Sequence, residues 1–187
     1  EGGFTRPGAA ACSDFGGGIT FEQEVEDIVR RGVEEDVKPD NIAMEVNGRK
    51  FAHDRTFGQC AQVILVSMLR TMPSVATRKE AFSSAQKLIK KWRPLLGKFA
   101  RSLDDQTGAL VALEAFVVEE AWAKHKLMMP IAKTLYDEDV VEEEAVLKWA
   151  ADAEDRGQKA LVKECQTLLD YLQQDSEDEE DSEDDDE

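Results

Sequence analysis

NIAMEVNGRKF, residues 41–51, is the stretch on which the fold class turns. Ile42, Met44 and Val46 alternate ahead of Asn47-Gly48, and Phe51 follows, which is a strong local cue for a β-hairpin. An isolated two-stranded hairpin is marginal in water, however, and no third strand candidate exists anywhere in the chain to complete a sheet. Helix is therefore the favoured reading of these residues, with the hairpin as its alternative.

Working outward, helical spacing dominates. Phe21, Val25, Ile28, Val29 and Val33 recur one turn apart behind a capping box of Thr20 and Gln23. A second run over about 57–71 carries Cys60, Val63, Ile64 and Met68 on one side. Thr77 and Glu80 form another capping box ahead of Ala81, Phe82, Ala85, Leu88, Ile89 and Trp92, and Pro94 is expected to bend or restart that helix. Helices are predicted over about 105–122, 126–136, 141–152 and 155–173, the last with Leu161, Cys165, Leu168, Leu169 and Leu172 inward. Seven or eight helices and no convincing strand give an all-α chain, and the short loops between them suggest stacked helix pairs, a small α-solenoid.

Composition sets the outer bounds. The 187 residues fit one domain with ragged ends, and 42% apolar residues suffice for a core. Residues 1–18 are glycine-rich with few large apolar side chains and read as a disordered linker, leaving 19–174 as the folded domain. The net charge is −17, and residues 175–187, DSEDEEDSEDDDE, hold 11 acids and no base, so the rest carries −6. That run reads as an acidic disordered tail. An acidic field repels phosphate, which argues against nucleic acid and for a basic partner. No apolar run approaches the roughly 18 residues of a membrane span and no signal-peptide pattern opens the chain, so a cytoplasmic location is expected. The start at Glu1 rather than Met suggests a piece of something longer. Cys12, Cys60 and Cys165 are too scattered for a disulfide framework or a paired-thiolate metal site, and Cys60 and Cys165 read as core thiols.

Covalent chemistry leaves no trace. GxxxxGK[ST], a GxGxxG after a strand, HExxH and paired CxxC are all missing, so neither a cofactor nor a metal is expected. His53 and His125 stand alone. Lys87, Lys90, Lys91, Arg93 and Lys98 surround Trp92, but Trp92 falls on the apolar spacing, and the basic stretch reads as a solvated helix face. Two segments stand out instead, ALVALEAFVVEEAW at 109–122 and LYDEDVVEEEAVLKWAAD at 135–152. In each, apolar residues anchor a helix while Glu114, Glu119 and Glu120, or Asp137, Glu138, Asp139, Glu142, Glu143 and Glu144, are expected to face water. The plain alternative is amphipathic helices whose acidic first turns complement the helix dipole.

These two segments resemble the aromatic-and-acidic boxes that close the carboxyl-terminal helical domain shared by initiation factor 5, initiation factor 4G and the epsilon subunit of initiation factor 2B. The upstream segment EVEDIVRRGVEEDVKPDNIAMEVNGRKFAHDRTF, with Asn41, Glu45 and Asn47 in an N-x-x-x-E-x-N core, is similar to the epsilon branch of that family. The resemblance spans about residues 20–187. It implies a W2-type fold of HEAT-like helix pairs, a right-handed α-solenoid, and hence a helix at residues 41–51. It also implies guanine nucleotide exchange on initiation factor 2 without covalent chemistry. The rival from another class is a non-catalytic adaptor, as in initiation factors 5 and 4G.

The resemblance places the family's critical glutamate on Glu45, with Asn41, Asn47 and Arg49 beside it on the GTPase (gamma) subunit of factor 2. Read as local structure only, Glu45 would pair with Arg49 one turn on. A tryptophan of the family's last helix falls on Tyr171, where contact with the partner and simple packing both stay open. Phe116, Tyr136 and Trp149 are expected in the core. The box acids are implied to meet lysine-rich runs in the tail of the beta subunit of factor 2, and the remaining subunits of factor 2B to assemble through an amino-terminal part outside this segment. Ser176 and Ser182, each followed at the third position by an acid (Glu179 and Asp185), fit an acidophilic kinase such as casein kinase 2.

Overall fold

The computed structural model describes residues 19–180, with side chains as far as Gln174. The expected linker at 1–18 and Ser182 lie outside the described residues, and so does the side chain of Ser176. The described residues form nine helices and no strand: α1 (Phe21–Glu34), α2 (Pro39–Ala52), α3 (Phe57–Arg70), α4 (Arg78–Phe99), α5 (Leu103–Val117), α6 (Glu120–Ala123), α7 (Met128–Asp137), α8 (Glu143–Asp155) and α9 (Lys159–Glu180). Helices α1, α3, α5 and α8 pack in sequence as one layer, and α2, α4, α7 and α9 as a second. This is an all-α, HEAT-like stack of helix pairs.

The ambiguous stretch is helical. Pro39 opens α2, where its fixed φ suits the first turn. Ile42, Ala43, Val46 and Lys50 are buried, a stripe of period near 3.6, whereas the alternation that suggested a strand would bury Met44, which is 67% exposed. Packing against α1 decides the matter: Ile42 lies so close to Gly32 that a Cβ there would sit 2.6 Å from its Cδ1.

Four of the helix starts carry complete capping boxes, those at Thr20, Thr56, Thr77 and Ser102. Four helix ends share another device, a residue in the left-handed region followed by a backbone N–H returned to the helix. The pairs are Asp36 with Val37 to Gly32, Asp54 with Arg55 to Lys50, Asp139 with Val140 to Leu135, and Gly157 with Gln158 to Ala153, at 2.9–3.0 Å. Three of the four use aspartate, which tolerates this conformation better than most residues with a Cβ.

Several boundaries differ from the sequence reading. Helix α4 runs unbroken through Pro94, because the proline faces solvent while Ile89, Trp92, Leu95, Leu96 and Phe99 hold both sides of it in the core. The helix expected over 105–122 ends at Val117, and the short α6 follows. The last helix begins at Lys159, after the Gly157 turn. It also runs past residue 173 to Glu180, since no glycine or proline interrupts it and propagation is cheap once a helix is nucleated. Trp92, Trp149, Phe99 and Phe116 are fully buried, and Tyr136 packs partly buried at the margin. Cys60 and Cys165 are buried free thiols, as expected.

Candidate functional site

Helix α2 presents one side to solvent. Asn41, Met44, Glu45, Gly48, Arg49 and Phe51 are exposed along it, and Asn47 is half-buried. The Glu45 carboxylate does not pair with Arg49, contrary to the local reading; it accepts from the Arg31 guanidinium of α1. Arg49 turns instead to Glu24, 3.6 Å away, and His53 Nε2 lies 2.8 Å from the same carboxylate. The physical reason is that α1 lies directly alongside α2, so groups on its facing edge are nearer than those one turn away. Between the two helices runs a groove of about 510 Å³, whose lining includes Glu24, Glu35 and Glu45 together with Arg31 and Arg49. Glu45 is thus an accessible carboxylate, 44% exposed at its side chain, whose one described ion-pair partner is itself exposed. Such a pair is worth roughly 0.2–1 kcal/mol, so its partner is readily exchanged.

The box acids do not form one surface. Glu114 corrects the expectation most sharply: it is 6% exposed, its carboxylate accepts from Trp149 Nε1 at 2.9 Å and from Arg156 at 2.8 Å, and it ties α5 to α8. It offers nothing to a partner. Buried carboxylates persist only where hydrogen bonds answer them, and here two donors do. Glu119 reaches Arg70 at 2.7 Å, beside α3, while Glu120 is exposed in α6. At the end of α7, Lys133 lies 2.8 Å from Asp137 and 5.8 Å from the ring of the half-exposed Tyr171, so one ammonium stands between these two candidates. Glu138 and Asp139 turn to α4, at 3.7 Å from Lys90 and 2.6 Å from Arg93. The backbone N–H of Glu142 donates to Gln106, and Glu143 and Glu144 occupy the first turn of α8.

The basic stretch on α4 is a set of ion pairs rather than a purely solvated face. Besides Lys90 and Arg93, Lys91 meets Asp36 and Lys98 meets Asp40, so α4 bridges the acids of the α1–α2 turn and the start of α2 to those at the end of α7. The Lys98 hydrogen bond holds the Asp40 carboxyl below its ordinary range. Sequence reasoning missed Arg31, whose separation from Glu45 is 14 residues. It also missed the exposure of Met44 and Phe51, for which a signal existed: neither falls on the stripe through Ile42, Val46 and Lys50.

Comparison with known proteins now adds identity to geometry. Residues 105–183 match the family model described as W2, eIF4-gamma/eIF5/eIF2-epsilon. The chain is 35% identical over 171 residues to translation initiation factor eIF2B subunit epsilon of Dictyostelium discoideum, covering 86% of this chain and 24% of that protein. It is 27% identical over 133 residues to the subunit of the same name in Schizosaccharomyces pombe, covering 71% of this chain and 19% of that one. The chain therefore spans about a quarter or less of the length of these relatives. With its second half on the W2 model and most of its length aligned to two epsilon subunits, this chain belongs to the W2 family, in the company of the eIF2B epsilon subunits.

Proposed function

We propose that this chain is a guanine nucleotide exchange domain acting on translation initiation factor 2, promoting GDP release so that GTP and initiator tRNA can bind. The reading rests on one observation above others, the accessible carboxylate of Glu45 on the exposed side of α2 in a relative of the eIF2B epsilon subunits. Exchange requires no covalent step. A protein that binds the nucleotide-free GTPase more tightly than its GDP form must, by linkage, weaken GDP by the same factor, and a hundredfold effect corresponds to about 2.7 kcal/mol of coupling. Glu45 suits this role because its exposed pair with Arg31 is weak enough to be traded for a cation on the GTPase subunit that helps hold GDP. Asn41 and Arg49 lie within about 40° of Glu45 around the helix and would flank that contact, while Asn47, about 160° away, would meet the partner only at the far edge of the exposed side.

The acids at the end of α7 and the start of α8 supply the second half of the reading, attraction for the lysine-rich tail of the beta subunit of factor 2. Tyr171, joined to Asp137 through Lys133, belongs to that patch. Assembly with other eIF2B subunits falls to parts beyond this chain, and Ser176 and Ser182 remain candidates for an acidophilic kinase. The test is release of labelled GDP from factor 2 by this chain and by Glu45→Gln, which keeps the side-chain shape and removes the charge. The variant is expected to slow release by at least about tenfold, and release at the parent rate would overturn the role of Glu45.

A further inference from the structure

Helices α4 and α7 run side by side in the same direction. Lys90 reaches Glu138, and Phe82 and Pro130 line one groove, so residues 48 apart in sequence stand at the same level of the pair. By that offset Arg78, the first residue of α4, stands level with Lys126, two residues ahead of α7. Lys79 and Lys124 lie close to them in sequence, and all four residues are exposed. Their end of the fold holds a groove of about 400 Å³ lined by Arg78, Lys79, Phe82 and Pro130, with the half-buried Phe82 and Pro130 as its apolar floor. These cations differ from the rest of α4. Lys90, Lys91, Arg93 and Lys98 are each paired with an acid, whereas no ion pair or side-chain hydrogen bond joins Arg78, Lys79, Lys124 or Lys126 to another described residue.

The acid next to them, Glu80, is taken up by the capping box, its carboxylate accepting from the backbone N–H and the hydroxyl of Thr77 at 3.2 and 2.9 Å. The helix dipole also opposes Arg78 and Lys79, because the first turn of a helix is its positive end. Folding therefore gives no reason for two cations at this place. A groove with an apolar floor and an unanswered basic rim is complementary to an acidic segment that carries a large apolar side chain. An oligonucleotide bears a charge on every residue and meets the repulsion of a −17 chain along its length, whereas a short peptide stays within about one Debye length, ~10 Å at 0.1 M salt, of the basic cluster. We propose that the groove between the starts of α4 and α7 is a docking site for a short acidic peptide segment of a partner protein. Its carboxylates would lie on Arg78, Lys79, Lys124 and Lys126, and one apolar side chain on Phe82 and Pro130. The site is opposite in charge to the acids between α7 and α8 and separate from the groove at Glu45, so it adds a partner to the exchange reading and does not rest on it.

The test is fluorescence anisotropy of the intact chain with three labelled probes at about 50 mM salt. They are a dodecapeptide of alternating aspartate and glutamate with one central leucine, the same peptide with serine in place of leucine, and an oligouridine of equal length. The leucine peptide is expected to bind with a Kd below about 1 mM, and the serine peptide about fivefold more weakly. Arg78→Glu combined with Lys79→Glu is expected to weaken the leucine peptide at least about tenfold, and Lys126→Glu about threefold. The double variant puts acids where the dipole favours them, so it is expected to melt no lower than the parent. Lys38→Glu is the charge control, because Lys38 lies between Asp36 and Asp40, which meet Lys91 and Lys98 about 20–30 Å along α4 from Arg78, and it is expected to bind as the parent does. Parent-like binding by the double variant, an equal loss in Lys38→Glu, or equal affinity for the two peptides overturns the proposal. Tighter binding of oligouridine than of the leucine peptide makes this corner a nucleic-acid surface, and the proposal falls. If the parent alone self-associates in sedimentation at this salt and the double variant does not, the occupant is the acidic end of a second copy, and the separate partner falls.

Discussion

Glu114, Glu119 and Glu120 are alike in sequence, three acids in one aromatic box, yet they have three different surroundings. Glu114 is buried on Trp149 and Arg156, Glu119 is bound to Arg70 at the surface, and Glu120 is exposed. Removing a buried acceptor leaves its donors unanswered, so Glu114→Ala is expected to lower stability by roughly 1–3 kcal/mol in urea unfolding, whereas Glu120→Ala stays within about 0.5 kcal/mol. The difference was not legible in the sequence, because Glu114 sits one position from Leu113 and two from Phe116, and a carboxylate beside core residues reads as snorkelling outward unless a buried indole N–H is known to await it. The core thiols were legible, and their burial has a chemical consequence. Burial raises the Cys60 thiol to about 11 and the Cys165 thiol to about 12. Both therefore remain protonated at pH 8, and the thiolate is the nucleophile. In a Cys12→Ser chain, a maleimide or iodoacetamide is expected to label neither cysteine at pH 8 on the timescale of a free thiol, and both once urea unfolds the chain. Prompt native labelling of either, read by mass spectrometry, would show that the helices around it open far more easily than this packing implies.

At the scale of elements, the sequence announced helix starts better than helix ends. Thr20 with Gln23 and Thr77 with Glu80 are local signals, and the structure uses both as complete boxes. The ends depend on backbone conformation, and at three of the four closures with a left-handed residue that residue is aspartate rather than the glycine that sequence patterns advertise. Asp139, a candidate recognition acid from its place in the second acidic segment, also closes α7. The hairpin cue in α2 was a true local preference overridden by packing, since a helix buries Ala43 together with Ile42 and Val46 and leaves Met44 outside, which the alternation of a strand cannot do. Two glycines give opposite tests of this account. Gly157, at φ +82°, closes α8 in a conformation that a Cβ disfavours, so Gly157→Ala is expected to cost about 1 kcal/mol. Gly48 is mid-helix with open space around its Cβ position, so Gly48→Ala is expected to stabilise by about 0.5–1 kcal/mol. Thermal melts of the two variants read the sign directly, and a gain at Gly157 or a loss at Gly48 would contradict the backbone assigned to each.

For the whole molecule, many acids before residue 175 are paired in place, and 11 of the 17 net negative charges fall on residues 175–187. Helix α4 carries the largest share of that pairing, holding Asp36 after α1 and Asp40 of α2 on one side and Glu138 and Asp139 after α7 on the other through Lys91, Lys98, Lys90 and Arg93. A lysine-rich ligand approaching the end of α7 must compete with Lys90 and Arg93 for Glu138 and Asp139. Exposed pairs contribute roughly 0.2–1 kcal/mol each, so affinity for such a ligand is the sum of many small terms and is screened as the Debye length falls from about 10 Å at 0.1 M salt to about 3 Å at 1 M. Titration of the chain with an oligolysine peptide is accordingly expected to weaken steeply with salt. Reversing Glu143 and Glu144 to lysine is expected to lower the low-salt affinity by at least about tenfold and to flatten the dependence, since two attractive charges become two repulsive ones. The high-salt affinities of parent and variant should then converge. Isotherms for the parent that coincide at low and high salt would remove the electrostatic role of this face altogether, and a variant with the parent's slope would move that role away from α8.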